Sequence, residues 1–261
     1  MNMDDKKVTI EDDFLNTISE YMKDSKELDV KQIYKLFPDI NKKTISWRLY
    51  DLKRQGKIYR TGHGYYSMSE IVKHTAAGYE YLQKKSREVY DIVSEYGYEF
   101  YISGLDALVG EVLHIPEQYP TILIVEEAGI HEIKEALNSK NFFVISEKEK
   151  KLFFNDFIKN KVDVIIFKGK DFSLAYEAIA DKEKGFIDLY YAITRFEYAT
   201  SIPELSRIYE SMERNKSINT IKMKKSAKDR GITTEINWLL ELSKASKKTI
   251  EFMAYQTRGI Q

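Results

Sequence analysis

The 261-residue chain contains no cysteine. Disulfides, thiolate catalysis and cysteine-ligated zinc are therefore excluded. Proline is scarce, with four residues, and glycine is modest, with 12. No Pro/Gly/Ser-rich stretch marks a linker, so the domains are expected to be joined stiffly. No apolar run approaches the roughly 18 residues that a membrane span needs. The opening MNMDDKKVTIEDDF is too polar and acidic for a signal peptide, and a cytoplasmic location is the expectation. Net charge is absent as well, because 41 Lys+Arg balance 41 Asp+Glu.

What is present is unevenly distributed. The length allows one large or two ordinary domains, and 43% hydrophobic residues supply a core. Residues 41–66, NKKTISWRLYDLKRQGKIYRTGHGYY, carry Lys42, Lys43, Arg48, Lys53, Arg54, Lys57 and Arg60 against Asp51 alone, a net of +6. The rest of the chain must then sum to −6. A basic patch on a neutral protein is the usual footprint of a nucleic-acid-reading surface. The alternative is a solvated helix face beside a structural hairpin.

The periodicity around that patch is informative. Thr9 opens a first helix carrying Ile10, Phe14, Ile18 and Tyr21 at helical spacing. Asp29 caps a short second helix, which Pro38 ends. Asn41 caps a third, whose buried stripe is Ile45, Leu49 and Leu52 and whose stop is Gly56. Residues 57–61 and 65–68 form two strands about a Gly62-His63-Gly64 turn. Three helices followed by a hairpin is the element order of a winged helix-turn-helix.

Opposite Ile45, the third helix is expected to present Lys43, Trp47, Tyr50 and Arg54 outward, flanked by Thr44, Ser46 and Asp51. Lys43, Thr44, Ser46 and Trp47 lie in the first two turns, where a recognition helix meets base edges, and Lys42 beside them is also counted as DNA-binding. Arg48, Lys53 and Arg54 are placed to reach phosphates. Arg60, His63 and Tyr65 of the hairpin are placed to touch the backbone or a minor groove. Such a module also serves as a protein-docking unit in other settings, and that reading stays open.

Residues 70–97 read as a helical connector. Beyond them, strands are expected at 100–103, 121–125, 142–145 and 162–167, and helices at 105–113, 130–137, 172–180, 184–193, 203–212, 234–245 and 247–256. The fold class is therefore α+β. A winged helix-turn-helix over 1–69 and a connector over 70–97 precede a mixed α/β domain over 98–261 with a helical C-terminal part. A second basic run spans residues 214–230. It holds seven cations, Arg214, Lys216, Lys222, Lys224, Lys225, Lys228 and Arg230, against Asp229. It reads as a solvated loop, with a supplementary phosphate contact as the alternative.

Catalytic signatures are sparse. His63, His74, His114 and His131 show no metal-binding spacing, and phosphate-binding glycine loops are absent. The order strand, Ser103-Gly104, helix, then the strand Thr121–Val125 resembles the opening of a nucleotidyltransferase core. Such cores need two acids on one face of the second strand to hold Mg²⁺. TILIV has none, Glu126 and Glu127 follow it, and Asp163 stands alone. The core is thus expected to be degenerate. No catalytic, cofactor-binding or metal-ligating residue is assigned, and the chain is read as a non-enzyme. The competing reading is a nucleotidyltransferase or nuclease with an accessory winged helix.

Three segments resemble the AbiEi-type antitoxins of type IV toxin-antitoxin systems. They are TISWRLYDLKRQGKIYRTGHGYY, the run Tyr101–Leu108 (the family's "isgltAL"), and the run Ile179–Leu189 (its "a.pEkAlvDl", with Lys182 in place of proline). The resemblance implies a transcriptional repressor that binds double-stranded DNA at its own promoter. It also implies a C-terminal domain that counteracts a nucleotidyltransferase-like toxin, without requiring stable contact with it. For Glu183 and Asp188 the residues alone suggest a solvent face or cap.

Overall fold

A computed structural model describes residues 13–22, 27–62, 64–68, 78–112, 115–154, 161–196, 198, 200–215, 218–241 and 247–258. It is a mixed α and β structure. The N-terminal elements are α1 (13–21), β1 (Leu28–Asp29), α2 (Val30–Leu36), α3 (Lys42–Arg54), β2 (Tyr59–Gly62) and β3 (Tyr65–Ser67). Their start and stop signals are local. Asp29 caps α2 in a full capping box with Gln32. The Asn41 side chain accepts from the Lys43 N–H at the start of α3. Gly56, at φ 71°, takes the left-handed position beyond the helix end. Phe14, Ile18, Ile33, Ile45, Leu49, Leu52, Ile58 and Tyr66 form one buried cluster. Tyr21, expected inside, is exposed, and Met22 is buried instead. One pairing had no sequence signal: β1 joins the hairpin antiparallel, Leu28 opposite Tyr66.

The rest of the chain builds a six-stranded sheet. Its strands are β4 (Phe100–Ser103), β5 (Thr121–Glu126), β6 (Val144–Ser146), β7 (Val164–Gly169), β8 (Ala175–Tyr176) and β9 (Ile179–Ala180), in the order β6-β7-β5-β4-β9-β8. β7 runs parallel to β5 and β6, whereas β4 runs antiparallel to β5. The central strands are mostly apolar because both faces are covered. Alternation divides them. Tyr101, Ile122, Ile124, Ile165 and Phe167 face one buried cluster, while Phe100, Ile102, Leu123, Val125, Val164 and Ile166 face another.

Helices α4 (Lys84–Val93) and α5 (Ile130–Ser139) cover the second face through Val89, Val93, Ile133 and Leu137. Residues 82–93, read above as part of a connector, thus pack in this core. The first face is covered by α6 (Lys182–Phe196), α7 (Ile202–Arg214), α8 (Thr220–Arg230), α9 (Thr233–Glu241) and α10 (Lys247–Arg258).

Three expectations fail. The helix expected over 105–113 is only a 3₁₀ turn, Gly104–Leu108. The helix expected over 172–180 is the β8–β9 hairpin, turning through Glu177 and Ala178 at φ 48° and 62°. Ile179 pairs with Ile102 at the edge of β4, and the Ile102 N–H donates to the Ala178 carbonyl. Sheet pairing here overrides the helical propensity of an Ala- and Leu-containing stretch. The basic run over 214–230 is not a solvated loop, because most of it is α8.

Candidate nucleic-acid interface

Helix α3 has three faces, set by about 100° of turn per residue. Ile45, Leu49 and Leu52 pack inward, and Arg48 lies beside them with its guanidinium over the Phe14 ring at 5.3 Å. A second face meets the sheet unit. Ser46 is 2% exposed, and its hydroxyl lies 3.2 Å from the Tyr34 hydroxyl. Tyr50 stacks on Tyr96 with ring centroids 5.4 Å apart, and Lys42 lies over the Tyr34 ring. The third face carries the exposed residues Lys43, Thr44, Trp47 and Arg54. Arg54 bonds Asp51 at 2.8 Å.

Two residues assigned above to DNA are buried. Ser46 faces Gly97, where an added Cβ would lie 3.4 Å from the Ser46 Cα and 2.9 Å from the Tyr66 hydroxyl. Only glycine admits so close an approach. Arg60 is 8% exposed and donates to the Tyr96 carbonyl at 2.8 Å. Burial pushes its guanidinium pKa down. Tyr50, expected outward, is also turned to the second unit. All three follow from one cause: residues 96–99 pack against α3 and the hairpin, and no local periodicity reveals a surface contributed from so far along the chain. His63 lies outside the described residues. Tyr65 stays exposed on the hairpin, and Lys53 is half-buried.

The junction is polar as well as aromatic. The Tyr34 hydroxyl donates to Glu126 Oε1 at 3.1 Å, and the Glu99 N–H donates to the same oxygen at 3.0 Å. Burial pushes the Glu126 carboxyl pKa up, against these two donors. Burial, then Glu126, likewise pushes the Tyr34 phenol up. Lys31 pairs with Glu99 at 3.0 Å.

The acids weighed for a metal site are dispersed. Glu126 serves the junction, and Glu127 is exposed and pairs with Lys168. Asp163 pairs with Lys85 beside the start of β5. Glu126 lies opposite Gly169, so along the parallel strands it is displaced from Asp163 by about six residues, about 20 Å. Among the described residues, no group of three His, Asp or Glu side chains is placed to hold a metal ion.

Periodicity also missed a buried ionic cluster. Asp188 of α6 is 1% exposed; it accepts from Ser103 at 2.6 Å and from Arg230 Nε at 2.5 Å. Arg230 also donates to the Lys168 carbonyl and the Tyr101 hydroxyl. Lys184, equally buried, donates to the Asp171 carbonyl at 2.8 Å. Glu183 accepts from the Asn219 N–H just ahead of α8. Glu183 and Asp188 are therefore interior anchors and not a solvent face. Lys222 and Lys225 pair with Asp181 and Asp171. Three cations of the second basic run are thus paired with acids, of which Arg230 alone is buried, and Lys224 and Lys228 are further exposed cations of α8. No sequence signal pairs these groups: the acids at 181, 171 and 188 meet the cations at 222, 225 and 230 only in the fold.

Residues 44–246 match a family described as one of unknown function, DUF6577. No curated protein matches the chain.

Proposed function

The chain belongs to the DUF6577 family, and from its own surface we propose that it is a DNA-binding regulator whose N-terminal elements act as a winged helix. The observation that carries the reading is the division of α3. Its own core takes one face and the sheet unit a second, so the remaining face is basic and aromatic, with Lys43, Trp47 and Arg54 beside Thr44. The first turn of α3 holds Lys42 and Lys43 and no acid. Cations there are unfavourable to the helix dipole, which makes that end a place for phosphate. The resemblance of Tyr101–Leu108 and Ile179–Leu189 to AbiEi-type antitoxins extends the proposal to repression of the chain's own operon and neutralisation of a nucleotidyltransferase-like toxin in the cytoplasm. The sheet unit would be a degenerate transferase core without enzymatic activity.

The test is fluorescence anisotropy with a duplex from the upstream region of its own operon. Binding should weaken steeply with salt, and each lost phosphate contact should reduce the log–log slope by about 0.9. Lys43→Ala/Trp47→Ala should bind at least about tenfold more weakly, equivalent to about 1.4 kcal/mol. Unchanged affinity in that double variant would remove α3 as the reading element. If no DNA binds even at low salt, the module is a protein-docking unit.

A further inference from the structure

A cleft of about 400 Å³ opens where the hairpin meets the sheet edge. Its walls come from both units: β1 and the start of α2, the hairpin, and the β4 and β8–β9 edge. Among the described residues, four acids line it, Glu27, Asp29, Glu99 and Glu177, against one cation, Lys31. Aromatic rings of Tyr65, Tyr90, Phe172 and Tyr176 complete the walls, and Tyr176 is 75% exposed. Lys31 already places an ammonium 3.0 Å from Glu99, so the cleft holds one cation of the chain's own.

A separate observation points to a ligand. Thr61 lines the same cleft and is 5% exposed, yet its hydroxyl has no hydrogen-bond partner among the described residues. A buried hydroxyl without a partner is costly, and natural structures rarely leave one so. A donor group entering the cleft would satisfy it.

We propose that this cleft is a binding site for a small aliphatic cation, an alkylammonium or alkylguanidinium, held by the acidic lining, packed against the tyrosines and bonded to the Thr61 hydroxyl. The volume is at the lower end of small-molecule sites, which suits a slender ligand. The aromatic faces favour a cation through their quadrupoles, and the net negative lining disfavours anions. The site does not rest on the DNA-binding reading.

Calorimetry on the full chain without DNA tests it, with spermidine and agmatine as probes and succinate as the anionic control. At least one amine should bind, more weakly as salt rises, and succinate should not. Thr61→Val keeps a strand-compatible side chain and removes the hydroxyl. It should weaken binding about three- to tenfold, the worth of one hydrogen bond, while the protein melts at the same or a higher temperature. Tyr176→Ala, at an exposed position, should weaken binding with no change in melting. The proposal is overturned if neither amine binds at millimolar concentration, if succinate binds as well, or if both variants bind the amine as the parent does.

Discussion

Replacing Arg230 with methionine should unfold the sheet unit far more readily than its single-charge change suggests. Arg230 belongs to a run of surface-looking lysines, but its side chain is 4% exposed and Asp188 beside it is 1% exposed. Among the described residues, Asp188 keeps only Ser103 as a donor once the guanidinium is gone. The Lys168 carbonyl and the Tyr101 hydroxyl each lose a bond in the same step. Breaking a buried pair by deleting one partner costs about 3–5 kcal/mol, because the surviving charge stays desolvated. For a protein of this size each kcal/mol moves the melting temperature by about 2–4 °C, so a fall of about 6–20 °C is expected. Thermal unfolding followed by circular dichroism measures the fall directly, and urea unfolding gives the free-energy loss. Lys225→Met is the internal control. It sits on the same helix and also loses an ion pair, with Asp171 at 3.2 Å, but both partners are partly exposed. Such pairs contribute about 0–1 kcal/mol. Asp188→Leu combined with Arg230→Met should recover part of the loss, since no charge is then left unpaired. If Arg230→Met costs no more than Lys225→Met, the cluster is not the clamp that fastens α8 to α6 and β4.

Two further outcomes are expected. Burial pushes the Asp106 carboxyl up to about 6, even though Gln83 N–H, Ser86 and Tyr119 donate to it. A raised folded pKa means the native state holds this proton more tightly than the unfolded chain. Stability from it is complete below about pH 4 and is lost as pH rises through about 6, a change of about 3 kcal/mol for two units. Asp106→Asn should remove that slope in urea titrations between pH 4 and 6, and a slope of the parent's size in the variant would show that other groups produce it. Gly185→Ala should destabilise, because its Cβ would lie 2.7 Å from the Ala107 Cβ. Overpacking costs about 1–3 kcal/mol and exceeds the helix-propensity gain of about 1 kcal/mol; a higher melting temperature would refute so close a contact between α6 and the 3₁₀ turn.

The parts of the molecule legible in the chain are those specified by neighbours within a few residues. Asp29 and Asn41 cap helices because a short side-chain oxygen reaches an N–H two or three positions on, whatever the rest of the fold does. The stripe Ile45, Leu49, Leu52 and the apolar runs at 121–125 and 162–167 follow from the two backbone periods. Lys43, Thr44, Trp47 and Tyr65 are exposed as the helical and strand patterns implied. The same patterns placed Ser46, Tyr50 and Arg60 outward, and there they failed. Periodicity identifies the face turned from an element's own core, but not whether a second surface covers it. Residues 96–99 do cover it, through the Tyr96 ring and carbonyl and the close approach at Gly97.

Residues 172–180 show the same limit, since an edge place beside Ile102 outweighs local helical preference. Charge was the most deceptive feature. Both basic runs carry a net +6, yet Lys222, Lys225 and Arg230 pair with acids 40 to 55 residues away, while Lys43 remains at the surface. The sequence by itself determined where cations concentrate and which elements carry them. Only the tertiary structure decided which are paired with carboxylates and which are left to solvent alone, because that depends on which distant acids the fold brings within about 3 Å, the reach of a charge-assisted hydrogen bond.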